Sequence, residues 1–136
     1  MLEKTMIDYG KIYANFFLSL HCDESALRTC NVLNSAKNTD KVGICDVQTA
    51  LFSMLSAKIG AGFIVIPFAK LQKKGIDPIQ MLIDIKTIFS TYNDLPCEVI
   101  VDEVSDVHNL IELAKIGIEG VIIKAALLQS ALSLKM

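Results

Sequence analysis

The chain has no tryptophan, only two histidines and three prolines, and no apolar run of membrane-spanning length. A spanning helix needs about 20 consecutive apolar residues. The longest candidate, Gly62-Phe63-Ile64-Val65-Ile66-Pro67-Phe68, is bounded by glycine and proline and reads as a buried strand, so a membrane is not expected as a partner. Charge of one sign is equally scarce. The net charge is −2 with signs interspersed, and without a basic stripe or aromatics beside Lys and Arg, nucleic acid is not an expected partner either. Met1-Leu2-Glu3-Lys4-Thr5-Met6 lacks a basic segment leading into an apolar stretch, which speaks against a secretory signal and for a cytoplasmic location. Cys22, Cys30, Cys45 and Cys97 include no C-x-x-C pair and read as reduced, structural residues that pack as small hydrophobes. Gly60-Ala61-Gly62-Phe63 lacks the third glycine and the preceding strand of a dinucleotide fingerprint, so it reads as a helix-to-strand turn. No cofactor and no metal is expected.

What the chain does have is apolar residues in short, repeated blocks. Its 136 residues fit one domain spanning residues 1–136, and 52% hydrophobic content with a mean hydropathy of +0.46 implies either an unusually buried architecture or a large apolar interface. Apolar, β-branched runs occur at Phe16-Phe17-Leu18-Ser19-Leu20, Lys41-Val42-Gly43-Ile44-Cys45, Gly62 to Pro67, Cys97 to Asp102 and Gly120 to Lys124. Runs of this kind are expected to be strands buried on both faces, as in a parallel sheet. Helical segments lie between them. Asp77-Pro78-Ile79-Gln80 supplies an Asp cap, proline at the first helical position and Gln at the third, a capping box, with Ile79, Leu82, Ile83 and Phe89 on one face. Ser105-Asp106 opens another helix, with Leu110, Ile111, Leu113 and Ala114 as its apolar side and Gly117 as its stop. Residues 24–38, 48–59 and 125–135 also read as helices. The order is a helix followed by repeated βα units, which predicts an α/β fold with right-handed crossovers.

Functional residues of parallel α/β folds collect at the C-terminal strand ends. Those ends carry Ser19, His21 and Cys22, then Asp46 and Gln48, Phe68 and Lys70, Asp102 and Glu103, and Lys124.

The stretch from Gly43-Ile44-Cys45-Asp46 through Lys58-Ile59-Gly60-Ala61-Gly62 resembles the strand-helix-strand segment of transaldolases and fructose-6-phosphate aldolases. Ile66-Pro67-Phe68 with Gly75-Ile76-Asp77-Pro78-Ile79-Gln80 is similar to the family's next strand and helix approach, and Glu98 to Ile123, with Leu113-Ala114-Lys115-Ile116-Gly117, to its last two strands. Lys11-Ile12-Tyr13-Ala14-Asn15-Phe16-Phe17-Leu18 looks like the helix end and strand that lead into the family's reactive lysine. The resemblance implies a partial (β/α)8 barrel, a truncated transaldolase-like domain that starts before the fourth barrel strand and runs through the eighth.

The family reaction forms an imine between a lysine amine and a ketose carbonyl, and it needs an acid/base and an anion site. On this resemblance Ser19 stands at the lysine position, and a hydroxyl forms no imine. Phe68 stands at the position of the acid/base tyrosine and has no proton to transfer. Lys70 is the nearest match, after a one-residue gap, to the phosphate-binding arginine. Glu103 replaces the serine that helps hold the phosphate and would repel it. Ser19, Asp46, Lys70 and Glu103 are therefore candidate ligand-binding positions rather than an intact aldolase site.

Lys124 is the candidate catalytic residue, as a relocated imine nucleophile at a strand end; the plainer reading is a lysine snorkelling at the sheet edge. Asp102 and Glu103, with His21 or His108, could form a carboxylate pair, although neighbours on a strand point to opposite faces. His21 and Cys22 read as a polar strand terminus, and Asp46 as the cap of the helix that starts near Gln48. Five strands leave open edges that must be covered. A homo-oligomer, or a partner chain supplying the absent strands, is expected. Two functions follow: a transaldolase-like subunit without aldolase activity that associates and binds a small sugar or sugar-phosphate ligand, or an active sugar-phosphate enzyme using Lys124 or a partner's residues.

Overall fold

The computed structural model describes residues 18–21, 23–35, 42–92 and 95–133. Its described part is a five-stranded parallel sheet in the order β1-β2-β3-β4-β5, with β1 at Leu18–His21, β2 at Val42–Cys45, β3 at Phe63–Pro67, β4 at Glu98–Asp102 and β5 at Gly120–Val121. Parallel neighbours cannot be joined by a tight turn, so each connection carries a helix. These are α1 (Glu24–Ser35), α2 (Ala50–Lys58), the short α3 (Phe68–Lys73) followed by α4 (Pro78–Thr91), and α5 (Val107–Ile116), with α6 (Ala125–Ser133) after the last strand. The α/β class and the alternation are as the sequence implies. The helix expected before β1 lies outside the described residues, as do Phe16, Phe17 and Cys22. Among the described helices none is long and apolar enough to cross a membrane.

Register separates the sheet into two unlike faces. The row Leu20–Ile44–Ile64–Val99 and the row Ile66–Val101–Val121 alternate along the strands with the row Ser19–Gly43–Phe63–Glu98 and the row Val65–Ile100–Gly120. Ile44, Ile64, Ile66, Val99 and Val101 are fully buried, in one cluster with Leu71, Leu82, Ile85 and Leu113 from the helices. On the opposite face Gly43, Val65 and Pro67 are buried as well, but Phe63 and Ile100 are half-buried and Glu98 is exposed. The expectation of burial on both faces therefore holds at Gly43, Val65 and Pro67 and fails at Phe63, Glu98 and Ile100, and at Val121 on the sheet edge. Because the side-chain period of a strand is two, His21, Pro67 and Asp102 belong to the less buried face, which a closed barrel would turn inward.

The caps explain where the helices begin and end. Asp77 Oδ1 accepts from the backbone N–H groups of Ile79 at 3.1 Å and Gln80 at 3.4 Å, with Pro78 in the first turn. The reciprocal half of the predicted box is replaced, since Gln80 Nε2 donates to Asp84 Oδ1 at 3.0 Å. Asp106 caps α5 through His108 N, and Gly117 ends it in the left-handed region at φ 89°. The buried arc of α4 is Pro78, Met81, Leu82, Ile85 and Phe89, while Ile83 is 41% exposed. It lies one residue, about 100°, beyond Leu82 and so leaves the seam. Likewise only Leu113 of the expected apolar side of α5 is buried, and Ile111 faces solvent.

Two contacts fix the sheet locally. Gly43 has Phe63 as its partner across the ladder, and a Cβ at position 43 would lie 2.1 Å from Phe63 Cε2. Only glycine admits the ring there. Below the sheet, Glu119 accepts from Val99 N at 2.8 Å with one carboxylate oxygen and from Lys86 Nζ at 2.6 Å with the other, tying β4 and α4 to the turn before β5.

Candidate functional site

The strand ends of β1 to β4 are joined by one polar network, centred on Asp46. Lys70 Nζ donates to Asp46 Oδ1 at 2.7 Å, Gln48 Nε2 donates to Asp46 Oδ2 at 3.2 Å, and His21 Nε2 lies 3.4 Å from that same oxygen. Lys74 Nζ donates in turn to Gln48 Oε1. Asp46 is therefore not the helix cap that the sequence leads one to expect. Thr49 takes that place, its Oγ1 accepting from Phe52 N at 3.1 Å, because α2 starts at Ala50 and the cap is the residue just before it. Burial would raise the Asp46 carboxyl, but the hydrogen bond and charge of Lys70, with Gln48 and His21 behind them, outweigh it and hold Asp46 below its ordinary value. The Asp46 hydrogen bond raises Lys70, against desolvation. Both groups are thus held ionised.

Glu103 completes the network from β4. Helix α3 begins directly after the strand residue Pro67, which offers no side-chain cap, so its first N–H groups need acceptors from elsewhere. Glu103 Oε2 accepts from Lys70 N at 3.2 Å, a carboxylate at the positive end of a helix. Reaching it requires an unusual backbone. Asp46 at φ 59° and Glu103 at φ 63° are the positive-φ residues other than glycine among those described, each the first residue after its strand. The left-handed turn takes these side chains out of strand alternation, which is how consecutive Asp102 and Glu103 come to border one cavity.

That cavity is a cleft of about 690 Å³ at the ends of β4 and β5, with Asp102, Glu103, Ser105, Lys124 and Ser130 as its polar lining and Ile123 and Leu127 on its apolar wall. Asp102 Oδ1 accepts from Glu103 N at 2.7 Å. Lys124 does not sit on a strand as expected. β5 ends at Val121, although Ile122 N still bonds Val101 O at 2.8 Å. Lys124 is instead the exposed residue before α6, its carbonyl accepting from Leu127 N at 3.0 Å and Leu128 N at 3.3 Å.

Of the sequence-predicted positions, Asp46, Lys70 and Glu103 come together, and Lys124 shares the cleft with Glu103. Ser19 is on β1, paired with Gly43. Phe68 is buried at the start of α3. His21 joins Asp46 rather than Asp102, while His108 is exposed in the first turn of α5. Ser130 and Lys74 were not singled out from the sequence, and Ser105 was read only as part of a helix start. The role of Glu103 left no trace in the sequence, because the uncapped helix start at Pro67-Phe68 that it serves is seen only in the structure. Among the described residues no group of three or more His, Cys, Asp or Glu side chains is placed to hold a metal ion.

No protein-family model matches the chain. It is 28% identical over 121 residues to a probable transaldolase of Chelativorans sp. strain BNC1, covering 89% of this chain and 54% of that protein. It is 28% identical over 110 residues to a probable transaldolase of Thermoanaerobacter sp. strain X514, covering 81% and 50%. A probable transaldolase of Brucella anthropi is 29% identical over 121 residues, covering 89% and 54%. The chain thus spans about half the length of the curated relatives it matches. Among solved structures, a mandelate oxidase variant with 4-Br-2-hydroxy-methylphenylacetate aligns with TM-score 0.53 at 17% identity, over 79% of this chain and 32% of that one. Mandelate oxidase with benzoyl-formic acid aligns with TM-score 0.51 at 20% identity, over 71% and 28%. At these identities the likeness is one of fold alone, that of TIM-barrel enzymes. The chain is therefore transaldolase-like, a divergent sequence relative of probable transaldolases carried on part of a (β/α)8 barrel.

Proposed function

We propose that this chain is a transaldolase-related unit that binds a small sugar-like ligand at its strand ends and does not carry out Schiff-base aldol chemistry. The observation that carries the reading is the state of Lys70. Its ammonium is bonded to Asp46, and its backbone N–H, at the start of α3, is bonded to Glu103. Both groups that would attract a ligand's phosphate are met by the chain's own carboxylates, and a phosphate entering here would displace one of them against like-charge repulsion. Ser19 at the lysine position and Phe68 at the acid/base position agree with loss of the imine step.

The unit works in association, as a homo-oligomer or with a chain that supplies further strands. Val121 and Ile122 at β5 and Leu128 and Leu132 on α6 are exposed, Leu132 by 75%, and large exposed apolar residues grouped at a sheet edge favour a covering surface. Light scattering that finds a stable, well-folded monomer at high concentration would oppose this part of the reading. Buried free thiols at Cys30 and Cys97 accord with a reducing, cytoplasmic setting.

The second reading, an active enzyme, draws on the presence of Lys124 in the cleft. Incubation with dihydroxyacetone or fructose 6-phosphate, borohydride reduction and peptide mass spectrometry separates the two. The first reading expects no lysine adduct; a reduced adduct on Lys124 establishes the second.

A further inference from the structure

We propose that the cleft at the ends of β4 and β5 selects an amine-bearing polyol, an amino sugar of monosaccharide size, over its neutral and phosphorylated counterparts. This rests on the ligand-binding reading above and names the ligand's chemistry. Its volume of about 690 Å³ falls in the range of small-molecule sites, about 300–1,000 Å³. The selection follows from how the charges are distributed.

Lys70 is held by Asp46, so this cation at the strand ends is already paired. Within the cleft itself two carboxylates, Asp102 and Glu103, face one ammonium, Lys124. Each carboxylate uses one oxygen within the chain, Asp102 for Glu103 N and Glu103 for Lys70 N. Among the described residues the second oxygen of each has no hydrogen bond, and a carboxylate accepts at both oxygens. An ammonium group on the ligand adds charge to those acceptors, a hydroxyl meets them with a neutral bond, and a phosphate dianion meets net negative charge. Ser105 and Lys124 supply donors for ligand hydroxyls and Ser130, whose own proton goes to Ala126 O at 3.1 Å, supplies an acceptor, while Ile123 and Leu127 offer an apolar wall for the ring's C–H face. The site is open to solvent, so each unit of ligand charge is screened and changes affinity by only about five- to tenfold at low salt.

Calorimetric titration of the full chain with glucosamine, glucose and glucose 6-phosphate at pH 6.5 and low ionic strength tests this. The expected order is glucosamine tightest, glucose about five- to tenfold weaker and glucose 6-phosphate weaker again. Glu103→Gln and Asp102→Asn keep an acceptor for Lys70 N and Glu103 N, respectively. Each should abolish most of the preference for the amine, with circular dichroism unchanged. Equal affinity for glucosamine and glucose, tighter binding of glucose 6-phosphate, or an amine preference that survives both substitutions overturns the inference and leaves sugar binding standing. Failure of all three ligands to bind overturns the inference and the ligand-binding reading together.

Discussion

Gly43→Ala tests whether the sheet's less buried face is packed as described. The new Cβ would lie 2.1 Å from Phe63 Cε2 and 2.2 and 2.3 Å from two further ring carbons. Ordinary contact begins near 3.4 Å, so the ring must retreat by about 1.3 Å or leave its rotamer. Phe63 is the first residue of β3, which is laddered to β2 and β4, so the strand cannot shift alone. Overpacking of this kind costs about 1–3 kcal/mol, which for a domain of this size lowers Tm by roughly 3–12 °C. Calorimetry on wild type, Gly43→Ala, Phe63→Ala and the double variant gives the coupling between the positions. Removing the ring makes room for the methyl group, so the alanine at position 43 should destabilise the Phe63→Ala background by less than about 1 kcal/mol. A Gly43→Ala variant with wild-type Tm, or one equally destabilising without the ring, would refute the packing of Phe63 over Gly43.

Other consequences are independent of that row. Asp46 is held below its ordinary value of 3.8, so its pairing stabilises the fold fully above that pH and is lost as pH falls through the lower folded value. Thermal melts between pH 2 and 6 should therefore fall less steeply for Asp46→Asn than for wild type, and parallel curves would count against the pairing. Glu103→Ala removes the remote acceptor for α3, so the Lys70 amide should exchange about tenfold faster, whereas Glu103→Gln should not change it. Glu119→Ala leaves Val99 N without its acceptor and should cost about 1–3 kcal/mol in a urea melt, with Glu119→Gln recovering part of it. Burial pushes the Cys30 thiol up to about 11 and the Cys97 thiol up to about 12. Both should stay unreacted with a disulfide reagent at pH 8 until the protein unfolds, since the thiolate is the reactive form.

The sequence made the sheet legible wherever apolar β-branched runs were set between real punctuation. β2, β3 and β4 begin and end within a residue of expectation, and Asp77, Asp106 and Gly117 act as caps as read. Burial was harder to read. Ile83 and Ile111 are apolar but fall outside the buried arcs, because the seam of each helix is set by the neighbour it meets. α3 escaped notice, as six residues carry little periodicity and no local cap. In the candidate site, proximity at strand ends placed Asp46, Lys70 and Glu103 on one short list, since topology brings those ends together. Their pairing was not readable. It depends on left-handed backbone at Asp46 and Glu103, a conformation that Asp enters more readily than most residues but that Glu does not announce. Lys124 was misplaced for a related reason, its apolar run continuing three residues past the strand it seemed to end.

The account's central claim is that Lys70 is already satisfied from within the chain. Nitrogen-15 NMR of the Lys70 backbone amide during titration with inorganic phosphate measures this directly. The account predicts no saturable shift for wild type at constant ionic strength, and a saturable shift once Asp46→Ala and Glu103→Ala are combined. Saturable binding of phosphate at Lys70 in the wild-type chain would contradict it.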